Sequence, residues 1–190
     1  MAKANIGYAI CGSFCTFSKA ISEIERLIDD GYNVIPIMSE TAASTNTRFG
    51  LARDFIDKIE EITGNKVISS ISAAEPIGPK KMCDLIVVAP CTGNTLAKLS
   101  FGLTDSAVSM AVKSHLRINR PVLLCVSTND GLGASAQNIG RLLNTKNIYF
   151  VPMSQDDYVN KPKSLVGHFE LIPDCVEKTL KREQYQPVFM

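Results

Sequence analysis

The order in which short β-rich apolar runs and longer amphipathic runs follow one another leaves few folds open to this chain. Residues 4–11 (ANIGYAIC) read as a strand. Residues 17–30 then place Phe17, Ala20, Ile21, Ile24, Leu27 and Ile28 on one helix face, with Gly31 as a stop. Residues 33–38 (NVIPIM) form a second strand, weakened by Pro36, which cannot donate to a ladder. A polar loop over 39–47 precedes a helix over 49–63, whose Ala52, Phe55, Ile56, Ile59 and Ile62 share a face ahead of Gly64. A short third strand covers 66–69, and 71–81, with Pro76, Gly78 and Pro79, reads mostly as loop. The clearest buried strand is 84–89 (DLIVVA), ending at Pro90. A helix starts near residue 94 and another spans 105–117, followed by a fifth strand over 121–126 (PVLLCV) and a helix over 134–143. A sixth strand over 147–151 (NIYFV) and a late helix over 172–182 lead to a polar tail, 183–190.

Strands that alternate with helices of about 10–15 residues imply βαβ units and right-handed crossovers. The expected fold is α/β: a Rossmann-like or flavodoxin-like three-layer sandwich with a mainly parallel six-stranded sheet. A chain of 190 residues without repeats, low-complexity segments or a linker fits one domain over 1–190.

Charge narrows the function classes. With 20 basic against 19 acidic residues the net charge is +1, too balanced to steer nucleic acid or an anionic membrane. No apolar run approaches the ~20 residues that span a bilayer. The first apolar stretch, 6–11, runs into Gly12-Ser13 and reads as a buried strand, not a signal peptide, which makes the cytosol the expected location. Cys11, Cys15, Cys83, Cys91, Cys125 and Cys175 show no paired spacing and read as free thiols in or beside apolar runs; no metal site is expected. His115 and His168 are too few and too far apart to nominate a catalytic triad.

In an open α/β sheet, ligands bind beyond the carboxyl ends of the strands. The loops found there read CGSFCTFSK, SETAASTN, PCTGNTLAK and STNDGLGAS, all rich in Gly, Ser, Thr and Asn. Small hydroxyl residues and free N–H groups at helix starts suit a phosphate, although one such loop alone is equally well a capped turn. A phosphate-binding G-x-x-x-x-G-K-[ST] motif and a G-x-G-x-x-G dinucleotide motif are both missing. A mononucleotide such as FMN fits better, with Glu40 read as a solvated loop charge rather than a ribose ligand.

The run from Val88 through Pro90, Asn94-Thr95, Ala97-Lys98 and Gly102 to Asp105 resembles the signature of the flavoprotein family of flavin-containing decarboxylases, a strand followed by APxSxNTxAKxAxGxxD. That family includes phosphopantothenoylcysteine decarboxylase, lantibiotic peptide decarboxylases and flavin prenyltransferases. Gly12-Ser13, Ser39 and the segment 121–129 are similar to its other loops, so the resemblance covers about residues 4–152. It implies an FMN site at the subunit boundary of a homo-oligomer built from trimers. Gly12, Ser13 and Ser39 would hold the phosphate end; Thr92, Gly93, Asn94 and Thr95 would lie along the flavin or substrate; Ser127 and Asn129 would shape the substrate side. Asn94 and Asn129 are the catalytic candidates. The chain departs from the cysteine decarboxylases in having no histidine within 71–81 and Val126-Ser127-Thr128-Asn129 in place of Pro-Ala-Met-Asn. It also has Ser127 where the prenyltransferases carry arginine.

The resemblance further implies an oxidoreductase subunit acting on a small dicarboxylate, with a partner similar to a dehydrogenase that holds NAD or NADP. Arg48, Lys98 and Lys161 are the cations available for such a substrate. Two other readings stand beside it: an FMN-dependent decarboxylase, and a scaffold that keeps the pocket without the chemistry.

Overall fold

A computed structural model of the chain describes residues 2–190. Its centre is a sheet of seven strands: β1 (Asn5–Ile10), β2 (Asn33–Met38), β3 (Leu85–Cys91), β4 (Val122–Thr128), β5 (Ile148–Phe150), β6 (Met153–Ser154) and β7 (Leu165–Gly167). β2, β1, β3, β4 and β5 pair parallel in that order, the doubly wound arrangement in which strand order reverses between β1 and β3. Around them pack α1 (Phe17–Asp29), α2 (Glu40–Ser44), α3 (Ala52–Thr63), α4 (Ile71–Ala74), α5 (Gly93–Phe101), α6 (Ala107–Leu116), α7 (Ala136–Leu143) and α8 (Ile172–Leu180).

The sheet divides the core into two layers, because successive side chains of a strand point to opposite faces. Ile6, Tyr8 and Ile10 of β1 face α1, α3 and α8, while Ala9 and Cys11 face α5 and α6. The three-layer α/β expectation therefore holds. No helix among the described residues is long and apolar enough to cross a membrane.

Several expectations need correction. The sheet has seven strands, not six. Residues 66–69 contribute only an isolated bridge, Ile37 to Ile68, because β2 stays at the sheet edge and gains no full neighbour there. That edge position also explains why Pro36 is tolerated. β3 does not stop at Pro90 but runs on to Cys91, with a register shift between Val88 and Cys91 that spares Pro90 a ladder bond. Residues 71–81 and 39–47 are less loop-like than they read, since short helices begin at Ser70 and Ser39, each hydroxyl accepting a backbone N–H three residues on.

β6 and β7 carry no visible signal in the sequence. They form an antiparallel ladder beside β4, so β4 pairs with β5 along Val122–Leu124 and with β7 at Ser127 and Thr128. The C-terminal tail is tied to the same corner. The Gln184 side chain exchanges hydrogen bonds with the Phe150 backbone, and Met153 N donates to Val188 O at 2.9 Å.

Candidate functional site

The four loops do meet along one rim, but they line two clefts instead of one. The larger, about 520 Å³, lies outside the ends of β1 and β3, where the strand order reverses. Cys11 and Gly12 of the first loop, Ser39 and Glu40 of the second, and Thr92, Asn94 and Thr95 of the third line it, together with Lys98 and Asp105. The smaller, about 290 Å³, lies across the first loop. There Ser13, Cys15 and Lys19 face Ser127, Thr128 and Asn129 and the segment carrying Asp156, Lys161 and Ser164. The Ser13 and Ser127 hydroxyls, 2.9 Å apart, tie the first loop to the end of β4.

In the larger cleft, a Cβ on Gly12 would meet only ordinary neighbours, 3.6 Å from the Phe14 ring and 3.9 Å from Thr41, itself a lining residue. Packing does not demand glycine there; its absent side chain leaves room for a ligand against the backbone. Ser39 caps α2 by accepting from Ala42 N at 3.2 Å, which leaves its own proton to donate. Thr92 caps α5 by accepting from Thr95 N. Thr95 is 7% exposed, and its hydroxyl donates to Cys11 Sγ at 3.2 Å and is committed inside the protein. Asn94 is exposed at the start of α5, with no hydrogen bond to its carboxamide among the described residues.

Gly93 departs from expectation, because it lines neither cleft. A Cβ there would stand 2.8 Å from Thr128 Oγ1 and Ser135 Oγ and 3.0 Å from Asp130 Oδ1. Asp130 accepts from both hydroxyls, and they hold its carboxyl below the usual range. Gly93 thus lets α5 close against the loop that carries Asn129.

Charges are paired. Lys98 Nζ lies 2.9 Å from Asp105 and holds that carboxyl down. Glu40 is exposed yet not merely solvated, since both carboxylate oxygens accept from Ala107 N, at 3.0 and 3.2 Å, at the start of α6. Of the three candidate cations, Lys98 lines the larger cleft and Lys161 the smaller, whereas Arg48 lies over the Phe49 ring and lines neither. Five cysteines are buried and Cys15 is exposed. Burial pushes the Cys11 thiol up to about 11 and Cys91 well above its usual range, so neither is a thiolate near neutral pH.

Lys19, Cys15, Asp156 and Ser164 escape a reading of the sequence. Lys19 and Cys15 look like ordinary surface positions of the first loop and α1. Asp156 and Ser164 reach the rim only because the β6–β7 ladder folds the intervening segment back over β4. The structure also lines up Ser154 Oγ, His168 and Glu170, at 2.9 and 3.2 Å, a set that spacing does not suggest. It lies outside both clefts.

The chain resembles known proteins over nearly its whole length. The family model described as Flavoprotein matches residues 1–182. The dipicolinate synthase B subunit of Bacillus subtilis (strain 168) is 46% identical over 185 residues, covering 97% of this chain and 92% of that protein. The crystal structure of the dipicolinate synthase B subunit from Bacillus halodurans matches with a TM-score of 0.91 and 42% identity, over 100% of this chain and 97% of that one. The FMN-dependent cysteine decarboxylase SpaF shares the fold at a TM-score of 0.64 and 18% identity, over 95% and 97% of the two chains.

Proposed function

Because this chain belongs to the flavoprotein family, we propose that it binds FMN in the larger cleft and serves as the flavoprotein subunit of a dipicolinate synthase, the role named for its relative at 46% identity. The observation that carries the reading is the meeting of Gly12, Ser39, Thr92 and Asn94 in one cleft of about 520 Å³ at the β1/β3 crevice. That size falls within the ~300–1,000 Å³ of small-molecule sites.

The lining fits a phosphorylated, ring-bearing ligand. Gly12 leaves the first turn open and Ser39 has a free proton, while Lys98, the one cation of the lining, is paired with Asp105 and adds no net positive charge. Gly12 and Ser39 are assigned to the phosphate end, and Thr92 and Asn94 to the ring; Ser13 and Ser127, expected at the cofactor, face the smaller cleft and bond to each other. Gly93 acts indirectly, through loop closure, and the Thr95 hydroxyl, bonded to Cys11, serves stability and not the ligand. When bound, FMN supplies an acceptor for the hydride lost as a dihydrodipicolinate-type ring becomes aromatic. The chain's own part is to hold and orient. The Asn94 and Asn129 carboxamides, both exposed and on opposite sides of the first loop, are placed to donate to substrate or cofactor oxygens. The lining of the larger cleft includes no histidine, so Glu40 and Asp105 are its bases for the accompanying proton.

The working unit pairs this chain with a dehydrogenase-like A subunit that holds NAD or NADP, in the cytoplasm of a sporulating cell. Exposed Phe101 and Leu103, just before Asp105, support self-association; assembly through trimers is what the family resemblance implies. Cysteine decarboxylation is disfavoured because segment 71–81 contributes only Ile71 to the lining of the cleft, and so supplies no acid–base group of its own.

The test is spectroscopic. Purified chain should show the absorption bands of oxidised flavin, and dihydrodipicolinate should bleach them, alone or with the A subunit. A colourless protein that still activates its partner would turn the reading towards a scaffold. Carbon dioxide released from a thiol-bearing carboxylate would turn it towards a decarboxylase.

A further inference from the structure

We propose that the smaller cleft is a carboxylate site for an aromatic dicarboxylate, built by Lys19, Lys161 and the buried hydroxyl of Ser164; the inference rests on the dipicolinate synthase reading for the identity of its ligand. Three observations support it independently of the flavin cleft.

The first is an unmet hydrogen bond. Ser164 is 1% exposed, lines the cleft, and its hydroxyl has no partner. A buried hydroxyl without an acceptor is costly. The Ser164 hydroxyl lies beside the Asp156 carboxylate and is the main cause of its pKa lying below the usual range, but the two do not meet in hydrogen-bonding geometry. A carboxylate oxygen entering the cleft would be the acceptor that is lacking.

The second is charge. Lys161 Nζ lies 3.1 Å from Asp156, the one carboxylate lining the cleft. Lys19 lines the same cleft and makes no ion pair among the described residues, although Glu170 lies close enough to feel its charge. The cleft therefore carries a surplus cation. The Asn129 carboxamide lines it as a further donor, and so does one hydroxyl of the Ser13–Ser127 pair, which shares a single bond at 2.9 Å; the Thr16 and Thr128 protons are committed to Ser13 O and Asp130 Oδ1. Donors and cations together suit an anion with several oxygens.

The third is pre-organisation. The segment that covers the cleft is braced by its own bonds: Gln155 Nε2 to Pro162 O at 2.8 Å, Asn160 N to Asp157 Oδ1 at 3.0 Å, and Leu132 N to Lys163 O at 3.0 Å. A ligand would find the site formed. Because Gly12 and Ser13 are consecutive and face different clefts, a ring diacid held here sits next to the flavin cleft across a single turn.

Cys15 provides the location test, since it lines this cleft and is the one exposed cysteine. In metal-free buffer, pyridine-2,6-dicarboxylate is titrated calorimetrically into the purified chain, with pyridine-2-carboxylate as the comparison. Alkylation of Cys15 is timed with and without each. The diacid should bind more tightly than the monoacid and slow the alkylation. Lys19→Gln and Lys161→Gln should each weaken binding roughly tenfold, the loss of one charge-assisted contact, and Ser164→Ala should weaken it several-fold. The flavin spectrum and thermal melt of each variant should match the parent. Absence of diacid binding at millimolar concentration, equal binding by all variants, or binding that leaves Cys15 unprotected would each overturn the site. Diacid binding that needs Lys19 in a chain that holds no flavin would support the site and sink the flavin reading. Flavin retained alongside lysine-independent diacid binding would do the reverse.

Discussion

Substituting Gly93 by alanine should separate the two loops that carry Asn94 and Asn129. To reach the 3.4 Å of ordinary contact, Thr128 Oγ1 and Ser135 Oγ must retreat by about 0.6 Å and Asp130 Oδ1 by about 0.4 Å. None can retreat alone, because Asp130 Oδ1 accepts from both hydroxyls, from Ser135 Oγ at 2.7 Å. Losing one hydrogen bond to a charged group costs about 1.5–3 kcal/mol. Alanine recovers at most ~1 kcal/mol over glycine in a helix, and less in its first turn. The net loss is therefore about 1–2 kcal/mol, or roughly 3–6 °C in Tm for a domain of this size. Urea unfolding reads the stability, and fluorescence titration reads the affinity for FMN, which should fall with it. Asp130→Asn is the control. It weakens the same network, so Gly93→Ala on that background should cost less than on the parent, a coupling that a double-mutant cycle measures. If Gly93→Ala is as stable as the parent, or adds independently to Asp130→Asn, the close approach does not hold the loops together.

Two substitutions separate ligand contact from internal bonding in the larger cleft. Ser39→Ala removes both the α2 cap and the free proton, and should cost about 1 kcal/mol of stability together with a marked loss of FMN affinity. Thr95→Val removes the bond to Cys11 and should lower stability while leaving FMN affinity nearly unchanged by titration. A third prediction concerns pH. His115 is 0% exposed and neither ring nitrogen makes a hydrogen bond, the Pro121 carbonyl lying outside bonding geometry. Burial, with Arg120 adding to it, lowers its pKa to about 4, from an ordinary value near 6.5. The unfolded chain therefore takes up the proton first. This contribution to stability is full above about pH 6.5 and is lost as the pH falls towards 4, by about 3 kcal/mol at the limit. Urea unfolding across that window should show the slope, and His115→Leu should flatten it.

The parts of the fold that can be read ahead are those whose signal is local. α1 announces itself through Phe17, Ala20, Ile21, Ile24 and Leu27, all buried on one face, and Gly31 ends it with a positive φ. β3 and β4 are unbroken apolar runs because both faces of each are covered. What escapes depends on tertiary partners. β6 and β7 span two and three residues, too short for any periodicity, and exist because β4 offers them an open edge beyond β5. Residues 66–69 have β-rich composition, yet pair at one position only. Glu40 looks like a solvated charge because its partner, Ala107 N, lies 67 residues away.

The same distinction accounts for the two clefts. Each loop's polar composition is local and legible, and so is its place on the carboxyl rim, which follows from strand direction. Which side of the rim a loop faces is not local. Gly12 and Ser13 are neighbours that line different clefts, and the turn between them becomes a partition as Ser127 bonds to Ser13 from β4. β4 ends where it does because β7 pairs antiparallel with Ser127 and Thr128, and that pairing also brings Ser164 and Lys161 to the rim. A parallel strand at the same edge would have carried the chain away from it. The second cleft is therefore a consequence of strand direction at one edge of the sheet: Lys19 stands on α1 regardless, and it is that reversal which brings Lys161 and Ser164 to face it.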